Sequence, residues 1–313
     1  MSARKVVRIG TRGSDLALWQ ARRVSELMRS TLRLDAELIV VKTQGDKVQN
    51  VSFHKMEGKG FFTKELQDAL LDDRVDLVVH SLKDLPVDHP EGLTLAAVPE
   101  RTDPADVLLA RGGLLAPSAS APLGLPPGSV LGTSSLRRAA QSLALEPELE
   151  IKPLRGNVPT RVGKLREGAY DAIMLAAAGV DRLGLDLAGL DRLDLTPEVV
   201  LPAPGQGALA IECRANDDLA VRLESLNDRH SARCVDAERS LLKMLGGGCH
   251  LPLGCLATED DGAVRLQAAL GEIDEAITQA RLSRVAVVAP DPDLASQACF
   301  EALRMAAPEA AVP

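Results

Sequence analysis

The chain has 313 residues, a formal net charge of -8, 46% apolar residues and only 2% aromatics. That length exceeds what one hydrophobic core sustains, so two or three domains are expected. The acidic balance argues against general adhesion to nucleic acid, and one Trp, one Tyr and four Phe leave almost nothing on which to stack exposed bases.

The N-terminus, Met1-Ser-Ala-Arg-Lys-Val-Val-Arg, carries charge where a secretory signal is apolar, which leads us to expect a cytoplasmic chain. Lys5–Ile9 reads as a strand, Asp15–Arg29 as a helix with Ser14 as N-cap, and Glu37–Lys42 as a second strand. Thr43–Gly60 is long, polar and glycine-containing, the description of a lid or of a plain loop. Phe62–Leu71 is then helical and Val75–His80 is a compact apolar strand, which completes the βαβ rhythm of a parallel sheet.

A second unit begins after Pro104. Val107–Ala110 and Ser129–Gly132 read as strands, Ser135–Leu145 as a helix, Leu149–Leu154 as extended, Pro159–Glu167 as a helix and Ala172–Leu175 as a strand. The apolar run Ala172–Val180 is too short to cross a bilayer. Between the early elements lies Gly112–Gly128, rich in Ala, Pro, Gly and Ser, which reads as a surface excursion without chemistry. The two units echo each other: Arg8-Ile-Gly-Thr-Arg-Gly-Ser and Val130-Leu-Gly-Thr-Ser-Ser-Leu-Arg-Arg both lead from a strand into a helix. Such turns leave backbone N–H groups and a positive dipole end for an anion, and two of them lead us to expect anion cradles across a shared cleft.

After Leu201, Pro-Ala-Pro-Gly-Gln-Gly-Ala makes a sharp turn into the strand Leu209–Cys213. The remainder reads as a small α+β domain: a helix Val235–Leu245, Gly246-Gly-Gly-Cys-His, a strand alternating at Val264, Leu266 and Ala268, a strand Arg284–Val288, and a helix from Leu294 to Met305. Cys213, Cys234, Cys249, Cys255 and Cys299 are odd in number and irregularly spaced, matching neither a disulfide framework nor a metal pattern.

Three places carry candidate chemistry. Ser134–Arg166 sets seven bases (Arg137, Arg138, Lys152, Arg155, Arg161, Lys164, Arg166) against three acids in an otherwise acidic chain, which points to a specific polyanion. Arg137 and Arg138 stand in the first turn of a helix, where the dipole disfavours cations, so something anionic should compensate them. His80-Ser-Leu-Lys-Asp-Leu-Pro puts Lys83 and Asp84 at the carboxyl end of a strand, where Asp84 could handle protons or stabilise a transient cation. Cys249 follows three glycines at a helix end. It lacks the dipole that activates a thiol; its surroundings suit either a tether or a buried structural sulfur.

Taken together, Arg8-Ile-Gly-Thr-Arg-Gly-Ser-Asp-Leu-Ala-Leu-Trp-Gln, Gly58-Lys-Gly-Phe-Phe-Thr-Lys-Glu-Leu, Val79-His-Ser-Leu-Lys-Asp-Leu-Pro, Gly132-Thr-Ser-Ser-Leu-Arg-Arg, Leu154-Arg-Gly-Asn-Val, Pro202-Ala-Pro-Gly-Gln-Gly-Ala and Gly247-Gly-Cys-His-Leu-Pro resemble the porphobilinogen deaminase (hydroxymethylbilane synthase) family, in order from Arg8 to Pro252. The resemblance implies two periplasmic-binding-protein-like α/β lobes, residues 1–100 with 200–217 and residues 101–199, and a C-terminal α+β domain over 218–313. It implies a dipyrromethane cofactor held by Cys249 through a thioether. Porphobilinogen would lose ammonia and be joined head to tail until four units are added, and water would release hydroxymethylbilane.

The resemblance further implies that carboxylates of cofactor and substrate meet Arg12, Lys83, Arg101, Arg137, Arg138, Arg155 and Arg161, with Ser14, Gln20, Ser81, Thr133, Ser134, Ser135 and Gln206 as polar contacts. Asp84 would be catalytic, Phe62 would pack against the cofactor, and Lys55 and Lys59 would lie on a lid. Asp15 departs from the Pro or Lys frequent there, though an acid in a first helical turn is favourable. No metal, nucleic acid or membrane is implied, and a monomer is expected. The rival reading is a noncatalytic polycarboxylate-binding protein of two hinged lobes.

Overall fold

The computed structural model describes residues 6–43, 63–248 and 251–306. By its contacts the chain divides into two compact units, Met1–Thr102 with Gly207–Arg233, and Asp103–Gln206 with Cys234–Pro313.

The first unit is built on a five-stranded sheet. Its strands are β1 (Val7–Thr11), β2 (Ala36–Val40), β3 (Leu77–Ser81), β4 (Leu93–Ala97) and β10 (Leu209–Arg214), in the order β2-β1-β3-β10-β4. β1 runs parallel to β2 and β3, whereas β10 is antiparallel to both β3 and β4. Leu77 and Val79 face a core with Ile9, Leu209, Ile211 and Cys213, and Val78 faces another with Leu66, Leu70 and Val75. Both faces are therefore apolar and both are covered by helices, as a sheet with parallel crossovers requires.

Helix α1 (Asp15–Leu27) covers the first face with Ala21 and Val24. It starts where the sequence places its cap: extended Ser14 accepts the Ala17 N–H at 3.3 Å. Helix α2 (Lys64–Leu71) covers the second face with Leu66, Ala69 and Leu70.

The second unit repeats the plan. Its larger sheet comprises β5 (Asp106–Arg111), β6 (Val130–Gly132), β7 (Glu150–Lys152), β8 (Ala172–Ala176) and β9 (Leu190–Leu195), ordered β7-β6-β8-β5-β9. β6 is parallel to β7 and β8, and β5 is antiparallel to β8 and β9. Position for position this is the first sheet again, so the likeness of the two strand-to-helix turns reflects a repeated topology. In each unit the antiparallel strand is laid down by chain that has just left the other unit. Helices α3 (Leu136–Leu145), α4 (Val158–Arg166) and α5 (Ala177–Leu183) complete the lobe. The short helix α6 (Asp218–Leu223) returns to the first core through Leu223.

The segment Gly112–Gly128 differs from its reading as a surface excursion. Leu123 and Leu125 are buried in the second lobe's core. Glu146, at the end of α3, accepts the backbone N–H groups of Leu123, Gly124 and Leu125 at 2.9, 2.9 and 3.3 Å. A buried carboxylate thus anchors a stretch whose Pro/Gly/Ala composition reads as solvent-facing.

The helix α7 (Arg229–Met244) is longer than the sequence indicated, and the division between units falls within it, after Arg233. Its later part packs with α8 (Pro292–Ala306) on a three-stranded antiparallel sheet, β11 (Leu253–Asp260), β12 (Ala263–Ile273) and β13 (Ala280–Ala289). Val264, Leu266 and Ala268 alternate inward as read from sequence, but from Ala268 to Gly271 every residue of β12 is buried. The reason is α3, which lies on the other face there: a Cβ on Gly271 would come within 2.6 Å of the Ala140 Cβ, and one on Gly254 of β11 within 2.8 Å of Gln141 Nε2. These two glycines permit the close approach of helix and sheet.

Candidate functional site

In the first unit β1, β3 and β4 all point the same way, so the segments that follow them share one edge of the sheet. That edge receives Arg12 and Ser14 after β1, Lys83 and Asp84 after β3, and Arg101 after β4. Ligand loops of open α/β sheets lie at such an edge. A single 3-10 turn, Leu82–Asp84, follows β3; its Leu82 is buried while Asp84 is exposed. Gln20, buried on α1, donates to the Ser81 hydroxyl at 2.7 Å and ties the helix to the start of this turn. The Arg101 backbone N–H donates to Ser231 Oγ at 2.9 Å.

The second unit offers a comparable edge. Thr133, Ser134 and Ser135 follow β6, and Arg155 and Asn157 follow the neighbouring β7. Ser135 and Asn157 cap α3 and α4, so two helix N-termini stand side by side. The turns are stitched together, because Ser134 Oγ accepts the Leu154 N–H and donates to the Leu154 carbonyl, both at 3.0 Å. Lys164 Nζ donates to the Arg155 carbonyl at 3.1 Å and Arg161 Nε to the Gly156 carbonyl at 2.7 Å. Gly156 sits at φ +112°, a conformation that a side-chain-bearing residue adopts only with strain. Burial lowers the pKa of Arg155 from the ordinary guanidinium value: its cation is partly withdrawn from water.

Arg137 and Arg138 occupy different surroundings from those the sequence suggested. Both are buried, and the anion that compensates them belongs to the chain itself. Asp106, at the start of β5 and fully buried, accepts from Arg137 Nη1 at 2.5 Å and from Arg138 Nη2 at 2.7 Å. It accepts in addition from Gln206 Nε2 at 2.9 Å. Arg137 also donates to the Leu201 carbonyl and Arg138 to the Met174 carbonyl. Burial alone would raise the Asp106 pKa, but the two guanidinium charges outweigh it and hold the carboxyl well below the usual range. Gln206, expected as a ligand contact, is likewise buried and engaged with Pro104, Ala105 and Asp106.

A second buried carboxylate escaped the sequence reading. Glu212 on β10 accepts from Gln67 at 3.0 Å, His80 at 3.0 Å and His89 at 2.9 Å. Burial would raise its pKa, yet these donors bring it down from 4.5 to about 2. Both acids had a signal in the sequence, since Glu212 interrupts an apolar strand and Asp106 opens one, and a charge on a buried strand demands partners. Their partners are far away in the chain, which no local pattern reveals.

Cys213, Cys234, Cys255 and Cys299 are all buried, and burial pushes the Cys213 thiol up to about 11 and the Cys299 thiol up to about 12. They are small core residues. Cys249, Lys55, Lys59 and Phe62 lie outside the described residues. Among the described residues no cluster of His, Cys, Asp and Glu could hold a metal ion, and no helix is long and apolar enough to cross a membrane.

Residues 7–222 match the family model described as "Porphobilinogen deaminase, dipyromethane cofactor binding domain", and residues 232–296 match "Porphobilinogen deaminase, C-terminal domain". The porphobilinogen deaminase of Syntrophobacter fumaroxidans is 48% identical over 272 residues, covering 86% of this chain and 85% of the relative. That of Chromobacterium violaceum is 48% identical over 260 residues, 82% of each chain. Among solved structures, the periplasmic VFT2 domain of Bordetella pertussis BvgS shares 14% identity, with a TM-score of 0.43 over 71% of this chain and 86% of that one. With both family models matched in order and nearly half the residues shared with these relatives over most of their length, the chain belongs to the porphobilinogen deaminase family.

Proposed function

We propose that the protein deaminates porphobilinogen and joins four molecules of it head to tail, releasing hydroxymethylbilane in tetrapyrrole biosynthesis. The observation that carries this reading is the match of residues 7–222 to the cofactor-binding domain of the family. The donor set suits the implied group. Dipyrromethane carries carboxylates, and the second unit sets two helix N-termini beside the partly desolvated Arg155. When bound through Cys249, it supplies the nucleophilic pyrrole carbon onto which substrate is joined.

The chain's own residues bind, orient and handle charge. Arg12, Arg101, Arg155 and Arg161 take the acetate and propionate groups of cofactor and substrate, since guanidinium forks match carboxylates and stay charged, and Lys83 adds an ammonium point charge. Ser14, Gln20, Ser81, Thr133, Ser134 and Ser135 serve chiefly by fixing the turns. Arg137 and Arg138 contribute chiefly by holding Asp106 and the chain around it, and through those of their five N–H groups that Asp106 and the Leu201 and Met174 carbonyls leave over. Gln206 secures Asp106. Phe62, Lys55 and Lys59 lie outside the described residues, and their assignment to the cofactor and to a lid rests on the family resemblance.

The reaction breaks the C–N bond of the substrate's aminomethyl group. The bonding pair leaves with nitrogen as ammonia, and the pyrrole nitrogen pushes electrons toward the methylene carbon and becomes positive. An exposed carboxylate at a strand end is suited to that task, so Asp84 stabilises this charge and accepts the pyrrole N–H proton. The enzyme works as a cytoplasmic monomer.

Intact-protein mass spectrometry on freshly purified protein tests the reading. The expected spectrum carries the added mass of a dipyrromethane, localised by peptide mapping to Cys249. An unmodified chain that nonetheless binds small polycarboxylates would favour the rival binding protein.

A further inference from the structure

His80 and His89 stand on either side of the turn that carries Lys83 and Asp84, and both bond to one carboxylate. His80, on β3, meets Glu212 Oε2 at 3.0 Å; His89, beyond Pro86, meets Glu212 Oε1 at 2.9 Å. Glu212 is fully buried on β10, and its pairing opposite Val78 puts it diagonal to His80 on the same sheet face. A carboxylate only accepts, so His80 bears a proton on Nε2 and His89 on Nδ1. Gln67 of α2 donates to both oxygens, at 3.0 and 3.2 Å, which fixes the carboxylate's plane. The entry to the turn is held further by the Leu82 N–H donating to the Ala208 carbonyl at 3.0 Å, one step before β10 begins. The exit Leu85–Gly92 contains no helix or strand, so the His89 contact ties a loop to a rigid strand.

We propose that Glu212, with His80 and His89, is a positioning clamp for Asp84. One carboxylate staples both ends of the segment from His80 to His89, so the intervening turn presents Asp84 at a fixed height above the sheet edge. None of the three touches substrate; they act through the turn. Holding a catalytic group in its productive geometry is worth large factors in rate, and a displacement of about 1 Å costs about a hundredfold. The inference rests on the deaminase reading for the role of Asp84, but the clamp itself is a property of the fold.

The test uses holoenzyme and the variants His89→Ala and His89→Asn. The His89 side chain is 22% exposed, so its removal leaves the core in place. Asn keeps an N–H near the position of Nδ1. Hydrogen exchange by mass spectrometry is read on peptides spanning 81–92, alongside kcat and KM. We expect His89→Ala to speed exchange in that segment about tenfold, the loss of one charge-assisted hydrogen bond, and to lower kcat with KM nearly unchanged. His89→Asn should restore both. Unchanged exchange in His89→Ala, or an acceleration spread equally over α2 and β10 that Asn does not rescue, overturns the clamp. Wild-type protein without deaminase activity would remove the reading of Asp84, and the exchange measurement would still judge the clamp.

Discussion

Asp84 and Asp106 carry the same functional group in opposite surroundings. Asp84 is exposed on a one-turn helix, so replacing it perturbs little packing. Asp84→Asn should lower kcat by about a hundredfold or more while the urea midpoint stays within error, checked by steady-state assay and chemical denaturation. Asp106 is buried between two guanidinium groups, and its neutralisation leaves two cations uncompensated. Asp106→Asn should destabilise the fold by about 3–5 kcal/mol, seen as a lower urea midpoint before any kinetic effect is considered. The sequence makes Arg137 and Arg138 look like ligand groups because their helix position is unfavourable for cations. What it hides is that the compensating anion comes from a strand some thirty residues earlier, at |i−j| of 31 for Arg137.

Elements with strong local punctuation were legible in the sequence. Ser14 starts α1 and Gly132 ends β6 within a residue or two of their reading. β4, β9, β11 and the helices α5 and α6 were not read, and for two of them the reason is local. β9 is Leu-Asp-Arg-Leu-Asp-Leu, an edge strand whose charges obscure its period, and α6 is six residues long. β12 shows the same limit from another side, since its alternation is lost where α3 crosses it. Gly271→Ala would bring a methyl within 2.6 Å of Ala140 and force that crossing apart. It should cost about 1–3 kcal/mol and lower the melting temperature, with far-UV circular dichroism unchanged. Gly262, at φ +80° with open space around it, marks the β11–β12 turn and is required for its backbone conformation instead.

Across the whole molecule, the buried acids of each unit include one held by basic side chains: Glu212 in the first and Asp106 in the second. Both have pKa values depressed by folding, so both add stability above their unfolded values and lose it as pH falls through their folded ones. For Glu212 the window runs from 4.5 down to about 2. Urea midpoints should therefore be level from about pH 5 to 8 as far as these groups are concerned, and fall steeply in acid. Glu212→Gln should be less stable at neutral pH and show a shallower decline between these two values. The strand order has a further consequence, for how the chain is made. β10 fills the gap between β3 and β4, yet Glu212 on it lies 132 residues beyond its partner His80. On the ribosome the first four strands of that sheet must wait, with an open seam flanked by apolar side chains, until most of the second lobe has been synthesised. During that interval the nascent chain presents an unpaired strand edge, the kind of surface that chaperones shield and that aggregates form upon.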